Sequence, residues 1–106
     1  MPEPTVITIS HRLGRDEAKR RLDAGLGHIR SQLAPFATAI DYRWTGYRLD
    51  FSLAAMRQSI SGRIDVEDAF VRVELYLPLL LRMLAGTITA RIRQEGSQLL
   101  DKPPGG

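Results

Sequence analysis

Apolar and polar positions change their period several times along the chain, and each change predicts an element. Thr5 to Ser10 is short and β-branched and follows Pro4, which suits the entrance of a strand. From Arg15 to about Leu33 the period lengthens: Ala18, Leu22, Gly25, Leu26, Ile29 and Leu33 project within a stripe of about 100° on a helix. Gly14 stands where an N-cap belongs, and Glu17 three residues on stands where a capping-box side chain reaches back. Asp16 and Glu17 also complement the positive end of the helix. Pro35 ends the element. Gly25 lies on the buried stripe, where a missing Cβ permits close approach; Gly27 lies on the opposite side, with no evident reason for it.

A period of two follows. Ile40, Tyr42 and Trp44 share one parity, Thr45-Gly46 marks a turn, and Leu49, Phe51 and Leu53 resume the pattern. The stretch Ala54-Ala55-Met56-Arg57 reads as a connection. Ile60, Gly62, Ile64 and Val66 then alternate with Ser61, Arg63, Asp65 and Glu67. After a turn near Glu67-Asp68, Val71, Val73, Leu75 and Leu77 alternate with Arg72, Glu74 and Tyr76. Such alternation predicts one buried and one wet face. The wet face carries Arg48, Asp50, Arg63, Asp65, Arg72 and Glu74, a mixed set suited to cross-strand ion pairs of a few tenths of a kcal/mol each.

Pro78 suits the first turn of a second helix, where its missing N–H is unpaired in any case. Leu81, Leu84, Ala85, Ile88, Ile92 and Leu99 form the second core stripe, running to about Leu100. The expected fold is α+β, a two-layer βαββββα arrangement with a curved antiparallel sheet and two helices on one face. It is expected to be a single domain over residues 1–106, with an ordered core of about 5–100 and a flexible tail at 101–106.

Composition narrows the class. With 43% hydrophobic and 25% charged residues the chain is globular rather than disordered. The absence of cysteine excludes thiol chemistry and a disulfide framework and suits a reducing cytoplasm. Met1-Pro2-Glu3-Pro4 offers no basic segment followed by an apolar one, so no secretory signal is expected. The longest apolar stretch, Leu75 to Ile88, is interrupted by Pro78, Arg82 and Gly86 and falls short of the ~20 residues of a transmembrane helix. The net charge of +3 rests on arginines interleaved with acids, as in Arg15-Asp16-Glu17, so no one-signed footprint for nucleic acid is expected. Arg63, Arg72 and Arg91 are the positions such binding would use.

Candidate chemistry is sparse. His11 and His28 are the only imidazoles, too few for a tight zinc site without carboxylates at ligand spacing, and His11 is expected to bond the backbone instead. No serine lies in a G-x-S-x-G elbow, and no phosphate-binding glycine loop occurs. The expectation is a non-enzymatic protein with no catalytic residue, metal or cofactor.

Two groups exceed what a core needs. If Leu81, Leu84 and Ile88 face the sheet, Leu79 and Met83 fall near the opposite side of the helix and Leu80 on its flank. Either they tuck under a loop, or they form an apolar patch, with Ala90 further along and with Arg82 and Arg93 beside it, for a homodimer, a partner helix or a hydrophobic surface. Tyr42, Trp44 and Phe51 either fill the core or line a pocket for a hydrophobic small ligand.

His11-Arg12-Leu13-Gly14 leading into Glu17-Ala18, Tyr42-Arg43-Trp44 with Gly46, and Gly62-Arg63-Ile64 with Val71-Arg72-Val73 occur in an informative order. They are followed by Leu80-Leu81-Arg82, then Gly86-Thr87-Ile88 and Ala90-Arg91-Ile92-Arg93-Gln94-Glu95. Over about residues 6 to 100 this pattern resembles the polyhydroxyalkanoic acid system family, also described as polyhydroxyalkanoate granule region proteins. It departs in the connection Ser31 to Ala39 and in the segment Ala54 to Gln58. The resemblance implies association with cytoplasmic storage-polyester granules or the proteins that make them, and it supplies no catalytic residue. A polyester surface needs apolar contact area beside polar residues, which the second helix would provide.

Overall fold

The computed structural model describes residues 4–35, 37–55 and 57–101. Its strands are β1 (Thr5–Ser10), β2 (Ala39–Thr45), β3 (Arg48–Ala55), β4 (Gln58–Val66) and β5 (Phe70–Tyr76). Helix α1 (Arg15–Leu33) separates β1 from β2, and α2 (Leu79–Arg82) and α3 (Ala85–Asp101) follow β5. The five strands form one open antiparallel sheet in the order β1-β5-β4-β3-β2, a meander onto which β1 returns beside β5.

Register explains the core. Ile7 stands opposite Val73, Val73 opposite Ile64, Ile64 opposite Leu49 and Leu49 opposite Trp44, so one apolar row crosses all five strands on a single face. Ile9, Val66, Val71 and Leu75 extend that face, and Ala18 and Leu22 from α1 and Leu100 from α3 close over it. Helix α3 lies over β1, α1 lies over β4, and the two helices touch. The fold is the α+β arrangement that the two periods predict.

The opposite face is a checkerboard of charge. Arg63 stands between Asp50 and Glu74, Asp65 stands between Arg48 and Arg72, and Arg43 faces Asp50. Arg48 bonds Asp65 at 2.8 Å, Arg63 reaches Asp50 at 3.4 Å, and Arg72 pairs with Glu74 along the same strand.

Local details differ from expectation where the pattern is silent about geometry. Gly14 precedes α1 with φ 78, but no side chain caps the helix; its carbonyl accepts from Ala18 N–H at 3.1 Å. Glu17 turns away from the cap to take hydrogen bonds from Arg20 (2.9 Å) and Arg21 (3.3 Å), because a charged partner on the next turn binds a carboxylate more strongly than a neutral backbone N–H does. Ala54 and Ala55, expected as connection, continue β3, since Ala54 and Ala55 still pair with Ser59 and Gln58. Arg57 turns the chain with φ 65, and Met56 beside it lies outside the described residues. Gly46 takes φ 61 at the first position of the tight β2–β3 turn, where a two-residue hairpin needs a positive φ. Asp101, placed by the sequence in a flexible tail, is the last residue of α3; residues 102–106 of that tail lie outside the described residues.

The arginine pair holds the Glu17 carboxyl at about 2, below its ordinary 4.5. The hydrogen bond from Arg20 is the largest cause, burial acts in the opposite direction, and the bond from Arg21 adds to the lowering. With the folded value below the unfolded one, the contribution of Glu17 is present above pH 4.5 and is lost as pH falls toward 2. Glu17→Gln is thus expected to be less stable than the parent at pH 7, with the two converging near pH 2 in chemical denaturation. A gap of equal size at both pH values would refute the assignment.

Candidate functional site

The single second helix expected from the sequence is broken in two. Helix α2 is capped by Pro78, whose carbonyl accepts from Leu81 N–H at 2.9 Å and from Arg82 N–H at 3.2 Å. The N–H of Leu84 then donates to Leu81 O at 3.0 Å, a three-residue closure tighter than the α-helical one, before Ile88 N–H to Leu84 O (2.9 Å) starts α3. Leu81, Ala85, Ile88, Ile92 and Leu99 keep to the core side of the break. Leu84, assigned to that stripe by spacing, does not: it is 51% exposed, because the tightened turn rotates it out of line.

None of the residues of α2 is buried. Leu79 is 77% exposed, Leu80 68% and Met83 87%, so with Leu84 four large apolar side chains meet solvent within six positions. Arg82, Ala90 and Arg93 are exposed as well. Leu84 is the member of the patch that sequence reasoning missed. The signal was available: Leu80 and Leu84 are four apart, hence neighbours on one helical face, and cannot be divided cleanly between a flank and a core.

A cleft of ≈340 Å³ lies between the helices and the sheet. Two glycines set how closely the elements around it approach. A Cβ on Gly25 would stand 2.6 Å from Leu99 Cδ1, and one on Gly96 would stand 2.5 Å from Ile9 Cδ1, so α1 and α3 approach each other and β1 closely at these points. Arg21 Nη1 donates to Leu100 O at 3.3 Å, which places the end of α3 beside the first half of α1. The helices run antiparallel and meet there. Leu26, Ile29 and Arg30 on α1 and Ile88, Arg91, Ile92 and Leu99 on α3 flank the cleft. Its floor is Tyr42, Phe51, Leu53 and Ile60 of the β2–β3–β4 side. Leu77 before α2 and Ile88 after it both line the cleft, so the exposed turn α2 is the crossover from sheet to helical layer at the cleft's end.

Of the three aromatic positions considered for a pocket, Tyr42 and Phe51 line the cleft and Trp44 does not. Trp44 Nε1 donates to Asp23 Oδ1 at 2.9 Å, and Lys19 Nζ sits 5.0 Å from its ring while donating to Gly46 O at 2.7 Å. An indole N–H seeks an acceptor, and α1 offers a carboxylate in reach, which draws the ring to the helix seam. Tyr47 follows the same logic, donating to Asp16 Oδ1 at 2.5 Å beneath the Arg15 guanidinium, 4.6 Å from its ring. That hydrogen bond is the chief reason the Tyr47 hydroxyl is pushed above its usual pKa.

His11 is buried between β1 and α1, with Nε2 donating to Glu67 O at 2.9 Å and Nδ1 accepting from Leu13 N–H at 3.2 Å. Both ring nitrogens serve the backbone, as expected for a connection residue. Among the described residues no three His, Asp or Glu side chains converge on a common point as metal ligands would. Arg63, Arg72 and Arg91 are each matched to a carboxylate, Asp50, Glu74 and Glu95, the last pair at 3.2 Å, so they do not join into a one-signed surface. No helix among the described residues is long and apolar enough to cross a membrane.

Comparison with known proteins identifies a family. The family model described as Putative polyhydroxyalkanoic acid system protein covers residues 6–100. Neither the curated proteins nor the solved structures include a significant match to the chain.

Proposed function

Because the chain belongs to the polyhydroxyalkanoic acid system protein family, we propose that it is a non-catalytic binding protein of polyhydroxyalkanoate storage granules or their protein machinery. Contact is made through the apolar patch of α2, that is Leu79, Leu80 and Met83 beside Arg82. The observation that carries this reading is the exposure of Leu79, Leu80 and Met83 together on one short turn. Scattered exposed apolar residues are ordinary, but four within six positions form a contiguous sticky surface. Fully burying one such side chain contributes about 1.5–3 kcal/mol, so even partial burial of three holds a protein on an apolar surface. Arg82 can extend its stem along that surface and keep its charge in water.

In cells that hold granules, the parent protein is expected to sediment with the polyester fraction, and Leu80→Glu with Met83→Glu to leave most of it in the supernatant. Retention of the double variant on granules would sink the patch. A soluble parent would sink granule association itself. A second reading, a carrier of a hydrophobic small ligand, is favoured by the ≈340 Å³ cleft, whose inner walls are aliphatic and aromatic.

A further inference from the structure

We infer that the cleft between α1, α3 and the sheet takes one linear aliphatic carboxylate of about eight to twelve carbons, chain inward and head at Arg30 and Arg91. This rests on the carrier reading and names its ligand class. The interior side chains, among them Ile40, Leu53, Ile60, Ile88 and Ile92, offer no hydrogen-bonding partner. A sugar, nucleotide or peptide placed there would lose its bonds to water without replacement, which excludes polar ligands. Engineered apolar cavities of ~150 Å³ accept a six-carbon ring, so one of ≈340 Å³ accommodates roughly twice that, about the volume of an eight- to twelve-carbon chain.

The head group follows from the rim. Asp41 and Ser52 also border the cleft, but they stand opposite each other at the outward parity of β2 and β3, so their side chains belong to the other face of the sheet. The charged side chains left to the cleft are Arg30, Arg91 and Glu95, an excess of one positive charge. Arg30 projects from α1 with its guanidinium 6.0 Å from the centre of the Tyr42 ring. Arg91 projects from the facing helix and is held to Glu95 at 3.2 Å, a pair 76% and 46% exposed. Such an exposed pair is weak and yields readily to a better-placed carboxylate. Arg30 and Arg91 thus line the cleft from α1 and α3 through their apolar stems and give its border a positive balance, which suits an amphiphile with a single anionic end.

Titration calorimetry of the purified chain with decanoate, decanol and butyrate tests this. Decanoate is expected to saturate one site per chain, with decanol about tenfold weaker for want of the charge and butyrate more than about a hundredfold weaker for want of six methylenes. Arg30→Ala with Arg91→Ala, both exposed positions, is expected to weaken decanoate about tenfold and leave decanol unchanged. Ile92→Trp, or Leu53→Trp from the opposite wall should the first fail to fold, is expected to abolish decanoate binding by filling the cleft. Equal affinity for decanol and decanoate, or an arginine double variant that binds decanoate like the parent, overturns the anionic head while the carrier reading stands. No binding of either ten-carbon probe overturns the carrier reading and this inference with it.

Discussion

Replacing Gly62 by alanine is expected to destabilise the protein by about 3 kcal/mol or more, although alanine ordinarily suits a strand better than glycine does. Gly62 is buried on the core side of β4, the middle strand. A Cβ there would stand 2.4 Å from the carbonyl oxygen of Glu74 and 2.5 Å from Phe51 Cζ. The carbonyl is the harder obstacle, since it belongs to the neighbouring strand β5 and cannot move without disturbing the ladder. Gly25 offers the contrast: its added Cβ meets the tip of the Leu99 side chain, which can rotate, so Gly25→Ala should cost far less. Gly27 has open space around it, and Gly27→Ala is expected to gain about 0.5–1 kcal/mol from helix propensity. Urea denaturation of the three variants checks the order. Were Gly62→Ala no worse than Gly25→Ala, the close approach of β4 and β5 would be disproved.

Leu49→Ala is expected to cost about 3 kcal/mol, within the range for buried leucine truncation, and to lower the melting temperature by roughly 15 °C. Leu49 is fully buried in the row that runs from Ile7 to Trp44, between Ile64 and Trp44, in the same cluster as Ala18 and Leu22 of α1. Its removal leaves a void that the flanking strands cannot collapse to fill, because their own side chains are fixed by register on both sides. Leu79→Ala should change stability by no more than about 0.5 kcal/mol, as its side chain meets solvent. Thermal melts of the two variants separate core leucines from surface ones. A loss at Leu79 as large as that at Leu49 would show that α2 is already covered in solution by a second copy.

Much of the fold could be read from the chain because two physical periods dominate it. Alternation from Ile40 to Leu77 fixes which side of each strand is wet, and the sheet pairs accordingly. The stripe on α1 likewise identifies Ala18, Leu22 and Leu26 as inward. Geometry decided by competition between partners was not readable. Glu17 had both an N-cap and two arginines within reach, and Trp44 had both an apolar interior and Asp23. Spacing alone does not rank such choices; distances do. The break at Met83-Leu84 is of the same kind, since a change from four-residue to three-residue closure leaves the residue types untouched. The cleft stood only as an option, and two of its three proposed aromatic positions line it, because Trp44 instead reaches Asp23 on α1.

The charge checkerboard on the far side of the sheet also bears on how molecules pack beside one another. Four arginines (Arg43, Arg48, Arg63, Arg72) and four acids (Asp41, Asp50, Asp65, Glu74) occupy that side, so their fields cancel within a few ångströms. A neighbour laid back to back meets like charges as often as unlike ones and must strip water from the exposed ones, which opposes stacking. A protein resting helix side down on an oily body would thus turn a charge-balanced face outward, one that opposes stacking of further copies along its β2–β3–β4 side.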